Sequence, residues 1–258
     1  MANSTQAIPR GFGVTQRTDN WWLQPLAVFL GLSAFGVYST WAAFQGKNFS
    51  CTEHAEGVQL VCNYLSPMYS PLVLFNWWHF SPAILILWMP LGFRATCYYY
   101  RKAYYRAFFL DPPACGVGEF GEHRYCGENA FPLVLQNLHR YFLYLAILVL
   151  CFLWKDAYDG FWFEGHFGVG VGTLVLLANS TLLTCYTFGC HSLRHLIGGK
   201  LNSFRGGSAE MRHGCWKKVT TLNEHHQLWA WVSLCVVGFT DFYVRMVAMG
   251  VFKDLRLF

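Results

Sequence analysis

Two long stretches of the chain contain no charged side chain, and they restrict the fold more than any other feature of the sequence. Residues 25–44 and 72–93 are apolar apart from a few Ser, Thr, Asn, Tyr and His side chains. A helix needs about 20 apolar residues to cross the roughly 30 Å of hydrocarbon in a bilayer. Both stretches are long enough to do so, and the sequence therefore predicts an integral membrane protein.

The composition agrees with this prediction. Of the 258 residues 54% are hydrophobic and only 13% are charged, which is too little polar surface for a soluble globule of this size. Many Trp and Tyr residues fall at the ends of apolar runs, as is typical of the aromatic belt at a membrane interface. The net charge of +5 is modest and divided among particular loops. It indicates a membrane orientation, and we expect no nucleic-acid partner.

The apolar runs predict an all-α integral membrane protein, a bundle of five transmembrane helices with a short helix in a cytoplasmic loop. The predicted spans lie at about 25–44, 72–97, 131–154, 167–190 and 226–251, within one anchor domain of residues 1–258. Pro82 and Pro90 are expected to kink the second helix or to open its hydrogen bonding locally. The fourth span is rich in Gly, Ala, Ser and Thr, which predicts burial among its neighbours.

Lys and Arg concentrate in two of the predicted loops, and cytoplasmic loops are the ones that retain such residues. Arg94 lies near the end of the second span and four more follow it, six follow the fourth, and the other two loops carry one lysine each. The pattern predicts a multi-pass protein of the cell inner (plasma) membrane, with the amino terminus in the cytoplasm and the carboxy terminus outside. Cys51 and Cys62 then fall in an external loop, where an oxidising compartment permits a disulfide.

Cysteines and histidines gather at the predicted cytoplasmic ends of the spans. They are Cys97, Cys115, His139, Cys190, His191, His195 and His226, with His225 beside the last. His191 and His195 are four residues apart, so both imidazoles lie on one helical face. Cysteines in mid-span are expected to pack as small hydrophobic residues. The pattern indicates a ligand-binding centre at the cytoplasmic end of the bundle.

One pair of opposite charges lies inside the fifth span. Asp241 and Arg245 are four residues apart, so we expect them to pair on one face of the helix. Because the pair lies near the predicted outer interface, snorkelling of the side chains toward the headgroups is the expected arrangement, and no ion path is needed to explain it.

Five blocks of the sequence resemble one known family. They are FRATCYYYRKAYYR at 93–106, PPAC at 112–115, QNLHRY at 136–141, CHSLRH at 190–195 and TDFY at 240–243. From about residue 19 to residue 250 the chain is similar to the membrane anchor (cytochrome b-like) subunit of type F, actinobacterial-type succinate dehydrogenase, a respiratory complex II. The resemblance implies a five-helix subunit, bound to a flavoprotein and an iron–sulfur subunit, that relays electrons from succinate to menaquinone. A higher oligomer of the complex is also compatible with it.

The resemblance further implies a Rieske-type [2Fe–2S] centre in the membrane region in place of haem. Such a centre takes two cysteine thiolates on one iron and two imidazoles on the other, and its potential lies above that of an all-cysteine cluster. Candidate thiolates are Cys97 and Cys115, with Cys190 as the main substitute, and candidate imidazoles are His139, His191, His195 and His226. The ligands must come from different helices, so spacing alone leaves the choice open.

Five residues are candidates for binding the quinone. They are Trp78, His79, Ser81, Tyr98 and Arg101. An aromatic wall, a hydroxyl and a cation suit a quinone ring and its two oxygens. Tyrosine and tryptophan at a membrane interface show the same pattern without binding any ligand, so both interpretations stay open.

Two other functional classes make distinct predictions. A b-type haem anchor of a quinone oxidoreductase would use His139, His191 or His226 as axial ligands, but it leaves the cytoplasmic cysteines unexplained. A transporter is expected to show internal repeats, which the five unequal spans lack. The sequence also has no Gly-rich dinucleotide fingerprint and no ferredoxin-type cysteine run. Succinate oxidation is therefore assigned to partner subunits, and this chain to electron transfer and quinone reduction.

Overall fold

The computed structural model describes residues 11–51, 62–120, 126–199, 201–251 and 253–258. These residues form two compact units. The first unit comprises the described residues of 1–36 and 95–137, and the second comprises those of 37–94 and 138–258. Each unit is described separately below.

Nearly all regular structure in the described residues is helical. The α-helices are α1 (Leu23–Gln45), α2 (Ile84–Ala95), α3 (Tyr98–Tyr104), α4 (His139–Asp159), α5 (Val171–Phe188), α6 (His191–Gly198), α7 (Gly207–Glu224) and α8 (His226–Ala248). Short 3₁₀ segments cover Pro67–Tyr69 and Leu133–Leu138, and a π-helical turn covers Tyr105–Phe109. Strands β1 (Trp162–Phe163) and β2 (His166–Phe167) form a small antiparallel hairpin between α4 and α5.

Four helical segments of the described chain are long and apolar enough to cross a membrane. They are Leu23–Gln45, Leu133–Asp159, Val171–Phe188 and His226–Ala248. These segments correspond to the first, third, fourth and fifth predicted spans. The prediction of a helical, multi-pass membrane protein is thus confirmed.

The second predicted span differs from the structure. Helix α2 has 12 residues and is about 18 Å long, which is short of the roughly 30 Å of a bilayer core. Residues 72–83 are not helical, so the prediction of a continuous helix over 72–97 is wrong in its first half. Pro82 explains the late start, because the residue before a proline is disfavoured in the helical conformation. The count of five crossing helices is not confirmed.

Helix α5 is the central helix of the second unit and packs against both α4 and α8. Its buried residues include Gly172, Thr173, Asn179 and Ser180, so small side chains lie at the contacts. The Ser180 hydroxyl donates to the Leu153 carbonyl on α4 at 3.0 Å. The predicted burial of this span among its neighbours is confirmed, and the close contact is the one expected for small residues in membrane helices.

A hydrophobic cluster lies at the ends of α4 and α8 that are remote from His139 and His226. It contains Cys51, Cys62, Tyr64, Ala157, Phe163, Leu176, Tyr243, Val244 and Val247, and is called the distal core here. The carboxy-terminal residues close over it, since Val171 N–H donates to Leu255 O at 3.0 Å. The Asp254 carboxylate accepts from the Tyr64 hydroxyl at 2.7 Å and from Gly172 N–H at 2.9 Å.

The charged pair of the fifth span lies inside the second unit. Arg245 Nε is 2.8 Å from Asp241 Oδ2, and the two side chains are 2% and 0% exposed. The guanidinium also donates to the carbonyls of Ala42 at 2.9 Å and Lys47 at 3.0 Å. The predicted pairing is confirmed, but the predicted snorkelling is wrong. Arg245 turns inward because the carbonyls at the end of α1 have no partners within that helix and attract a cation.

Candidate functional site

A buried histidine and a buried cysteine are in contact at one end of the second unit. His139 is the first residue of α4, and its Nε2 atom lies 3.0 Å from Cys190 Sγ. Both residues are buried. The His139 ring stacks on Phe93 of α2, with ring centroids 4.5 Å apart and planes 7° apart. The helix ends thus hold an imidazole and a thiol together in a water-poor environment.

The turn between α5 and α6 positions the cysteine. Cys190 is the residue that caps the amino end of α6, and its sulfur accepts from Ser192 N–H at 3.3 Å. Gly189 precedes it and lies close to three groups. A Cβ atom added there would lie 2.8 Å from Cys185 O, 3.1 Å from Leu222 O and 3.2 Å from His226 Nδ1. The absence of a side chain at this position therefore allows α5 to end directly against the start of α8.

A second histidine joins the group through aromatic rings. His226, the first residue of α8, is 2% exposed and stacks on Tyr186 with centroids 5.0 Å apart. Tyr186 contacts Phe93 edge to face at 5.4 Å. The four rings therefore follow one another in the order His139, Phe93, Tyr186, His226, and each imidazole has one face covered by an aromatic ring.

A cation lies beside this group of rings. The Arg94 guanidinium carbon is 4.6 Å from the centre of the Tyr186 ring. Arg94 also donates to Ala230 O at 3.1 Å and to Ser233 Oγ at 3.0 Å, both on α8. These bonds fix the cation in place, so the site has a permanent positive charge adjacent to its aromatic rings.

The two remaining candidate imidazoles lie at the surface of the second unit. His191 and His195 are both exposed on α6, with ring centroids 5.9 Å apart. The predicted shared face is confirmed. Partial burial, together with His195 and Arg194, lowers the pKa of His191. Because they are exposed, these two histidines differ from His139 and His226, which are enclosed by other helices.

The preferred thiolate candidates both belong to the first unit. Cys97 caps the amino end of α3 and is 2% exposed. Cys115 is exposed, and Arg106 Nη2 donates to its sulfur at 3.2 Å. This hydrogen bond and the charge of Arg106 lower the pKa of the Cys115 thiol. Of the three predicted thiolates, Cys190 is the one that the second unit places against a candidate imidazole.

Within the residues that the structure describes, no group of three or more His, Cys, Asp and Glu is arranged to hold a metal ion. The donors in contact are nevertheless of the two kinds that a mixed cysteine and histidine cluster uses. Cys190 offers a buried sulfur and His139 a buried ring nitrogen. The second unit therefore fits such a cluster in part, and a second thiolate must come from outside this group.

The predicted quinone residues fall into two separate groups. Trp78, His79 and Ser81 belong to the second unit, in the non-helical segment before α2. Trp78 Nε1 donates to Ser81 O at 3.2 Å, and Ser81 Oγ donates to the Tyr69 hydroxyl at 3.2 Å, whereas His79 is exposed. These contacts brace the segment against Tyr69.

Tyr98 and Arg101 line a cavity of about 550 Å³ in the first unit. Arg101 Nη1 is 2.8 Å from Glu128 Oε2, and its guanidinium lies 4.4 Å from the centre of the Tyr98 ring. The cavity is also lined by Lys102, Tyr105, Arg106, Asp111, Glu119, Cys126, Gly127, Glu128, Ala130, Phe131, Pro132 and Leu133. Its walls combine basic, acidic and apolar side chains, and its volume is typical of a small-molecule site.

Three residues of the histidine site were not predicted from the sequence. Phe93, Tyr186 and Arg94 make the ring stack and its cation, as described above. Aromatic residues within an apolar span look like packing residues, and an arginine at the end of a span looks like an interface anchor. Their position beside His139 and His226 follows only from the way the helices pack.

Two comparisons with known proteins agree on one family. A family model described as actinobacterial succinate dehydrogenase subunit SdhC matches residues 23–250. Among solved structures, the chain is similar to a chain of the Mycobacterium smegmatis Sdh1 complex in the apo form. The two are 40% identical with a TM-score of 0.85, over 100% of this chain and 98% of that chain. No curated protein matches.

Proposed function

The chain belongs to the actinobacterial succinate dehydrogenase subunit SdhC family, and from this premise we propose that it relays electrons from a partner iron–sulfur subunit to menaquinone. Membership makes it a membrane anchor subunit of succinate dehydrogenase that assembles with other subunits of the complex. The contact between His139 and Cys190 at the end of the bundle supports the electron-transfer role most directly, because both donor types are buried there together.

The finer proposal is that this site holds a Rieske-type [2Fe–2S] cluster. Cys190 is proposed as one thiolate and His139 and His226 as the imidazoles, with Cys97, Cys115, His191 and His195 as the remaining candidates. Such a cluster supplies one-electron chemistry at a potential above that of an all-cysteine cluster. The choice of Cys190 over Cys115 rests on its complete burial and its 3.0 Å contact with His139.

The residues around the histidines have separate tasks in this proposal. Phe93 and Tyr186 each cover one imidazole face, and so they orient the rings and exclude water from them. Arg94 places a positive charge beside the ring stack. This charge stabilises the reduced state of a nearby electron carrier, because it attracts the added electron. The buried surroundings strengthen that attraction, because they weaken dielectric screening.

The alternative of a b-type haem has less support. A haem with two histidine ligands needs the two imidazoles to face each other across a flat macrocycle. The Phe93 and Tyr186 rings lie between His139 and His226 in the order of contacts. A haem would also leave the buried Cys190 thiol beside His139 without a role, whereas a mixed cluster uses both donors.

The cavity of the first unit is proposed as the menaquinone site. Arg101 can donate to a quinone oxygen and Tyr98 can pack against the ring, while Phe131 and Leu133 supply an apolar wall. A lipid-soluble quinone with two polar oxygens matches this combination. Trp78, His79 and Ser81 are retained as candidates for a second contact region of the quinone or its tail.

The proposed orientation places both the histidine site and the amino terminus on the cytoplasmic side of the cell inner (plasma) membrane. The flavoprotein and iron–sulfur subunits are then expected to dock on the same side. Helices α6 and α7 pack together outside the four long apolar segments, and they carry Arg194, Arg212, Lys217 and Lys218. This basic pair of helices suits an acidic partner surface.

Electron paramagnetic resonance of the purified, dithionite-reduced complex tests the cluster. We expect a signal with an average g of about 1.9, as mixed histidine and cysteine ligation gives, and no haem bands in the optical spectrum. Cys190→Ser should abolish or shift the signal, whereas Cys185→Ser, a change at the same end of α5, should leave it intact. Haem bands without this signal, or an unchanged signal in Cys190→Ser, would refute the proposed ligands.

A further inference from the structure

Two cysteines outside the histidine site are brought together by an antiparallel backbone contact. Ser50 pairs with Leu65, Cys51 N–H donates to Tyr64 O at 3.0 Å, and Ser66 N–H donates to Phe49 O at 2.8 Å. Cys51 and Cys62 lie on the two sides of this contact, with ten residues between them in the sequence. The backbone therefore fixes both ends of a short loop, with one cysteine at each end.

The two thiols are buried in the same part of the second unit. Cys51 is 0% and Cys62 is 8% exposed, and both belong to the distal core with Tyr64 and Phe163. The structure has both cysteines as free thiols, and a hydrogen bond with Cys62 is the largest influence on the Cys51 thiol. Two buried thiols this near one another are candidates for oxidation to a disulfide, whose geometry requires closely approaching Cβ atoms.

The surroundings argue against a role as thiolates. The contact with Cys62, burial and the nearby Asp254 carboxylate all raise the pKa of Cys51. A thiol that stays protonated is a poor metal ligand and a poor nucleophile. The pair is therefore suited either to packing as two free thiols or to a covalent bond, and the redox compartment decides between them.

The location favours the covalent bond. The distal core lies at the ends of α4 and α8 that are remote from His139 and His226, and the orientation proposed above puts those ends outside the cytoplasm. Disulfides persist on that side of a plasma membrane. This step depends on the proposed orientation alone and is independent of the cofactor and the quinone.

We infer that Cys51 and Cys62 form a structural disulfide that joins these two described residues within the distal core. The oxidant is the disulfide of a thiol–disulfide oxidoreductase on the outer side of the membrane. The two thiols lose two protons and two electrons as their S–S bond forms, and the oxidoreductase disulfide gains them and becomes a dithiol. The bond forms before the core closes and is then shielded from reductants by burial.

Mass spectrometry of the intact complex tests the bond directly. Membranes are treated with N-ethylmaleimide under denaturing, non-reducing conditions and then digested after glutamate, because Glu53 and Glu56 lie between the two cysteines. We expect the two cysteine peptides to be recovered as one linked species that separates only after reduction. Cys215, which is exposed on α7, serves as the control and should carry the maleimide. Recovery of both peptides with a maleimide on each cysteine would overturn the inference.

Thermal unfolding of variants provides a second, independent test. Cys51→Ser, Cys62→Ser and the double variant should each lower the melting temperature of the complex by the same amount, roughly 5–10 °C, since each removes the same bond. Cys215→Ser should leave it unchanged. If the double variant lowered the melting temperature by the sum of the two single decreases, the two thiols would be independently packed. That result would contradict the disulfide.

Discussion

Individual side chains at the helix ends determine the chemistry that this anchor can support. Cys190 Sγ lies 3.0 Å from His139 Nε2, and the neighbouring Gly189 leaves room for His226 at the start of α8. The stack of Phe93 and Tyr186 then fixes both buried imidazoles. A small number of contacts thus converts the ends of membrane helices into a site with defined donors.

Gly189→Ala tests the close approach. The added methyl group would lie 3.1 Å from Leu222 O on α7 and 3.2 Å from His226 Nδ1 on α8, so the end of α5 must move away from both, and we expect a loss of about 1–3 kcal/mol in the free energy of unfolding. The matched control is Gly214→Ala in α7, where a Cβ meets nothing within 4 Å. That change should stabilise by about 0.5–1 kcal/mol, because alanine is the better helix former. Equal effects of the two changes on thermal unfolding would contradict the packing described here.

Arg101→Gln tests the proposed quinone cavity. Loss of a charge-assisted hydrogen bond of about 1.5–3 kcal/mol should reduce kcat/KM for a soluble menaquinone analogue by about 10- to 150-fold. Succinate oxidation with a soluble dye that bypasses the anchor should not change. Arg140→Gln removes an exposed arginine at the start of α4 and is the charge control. A normal quinone rate in Arg101→Gln would exclude this arginine from the site.

The sequence located this chemistry only in part. The predicted spans put three of the site residues at one membrane face, because each lies at a helix end. They are His139, Cys190 and His226. The preference for Cys97 and Cys115 over Cys190 did not follow from any spacing, and the contact of Cys190 with His139 leads us to propose Cys190 in place of Cys115. The aromatic stack could not be found, since Phe93 and Tyr186 have the composition of ordinary lipid-span residues and only their packing distinguishes them.

At the scale of the elements, proline and buried charge shape the bundle. Pro82 delays the start of α2, which the apolar run from residue 72 does not reveal. Apolarity indicates which residues avoid water but not whether their backbone is helical. For the other long spans, apolarity and helix length agree, and their boundaries are close to the predicted ones.

Asp241→Asn tests the buried connection between α8 and α1. Asp241 pairs with Arg245 and accepts from the hydroxyls of Tyr38 and Ser66, so an amide leaves a buried guanidinium uncompensated. We expect a loss of about 3–5 kcal/mol in stability, seen as a lower melting temperature of the complex. Asp159→Asn removes the same charge from an exposed pair with Lys155 and should cost less than about 1 kcal/mol. A similar small cost for both would mean that the buried pair contributes little.

At the scale of the whole molecule, the number of crossings decides where the two termini lie. The four long segments alone place both termini on the same side, whereas a fifth crossing through α2 and the residues before it places them on opposite sides. The family assignment shows a multi-pass anchor, and the Lys and Arg pattern predicts the amino terminus inside. The orientation therefore remains a prediction with a direct measurement.

Labelling with a membrane-impermeant maleimide in vesicles of both orientations makes that measurement. With five crossings, the cysteine of Thr18→Cys should react in inside-out vesicles and that of Leu257→Cys in right-side-out vesicles, with each site read by mass spectrometry. Thr18 and Leu257 are both exposed, and Cys215 on α7 reports the cytoplasmic side. Labelling of both termini from one side would show that residues 72–95 do not complete a crossing.

The closure of the distal core by Asp254 and Leu255 also sets an order of events during biosynthesis. The ribosome delivers Cys51 and Tyr64 early, but the carboxylate that accepts from Tyr64 belongs to Asp254, which follows α8. Helices α1 to α8 are therefore translated while this end of the bundle is still open. Asp254 and Leu255 close it afterwards, so a chain cut before residue 254 would have the helices around an unfinished core.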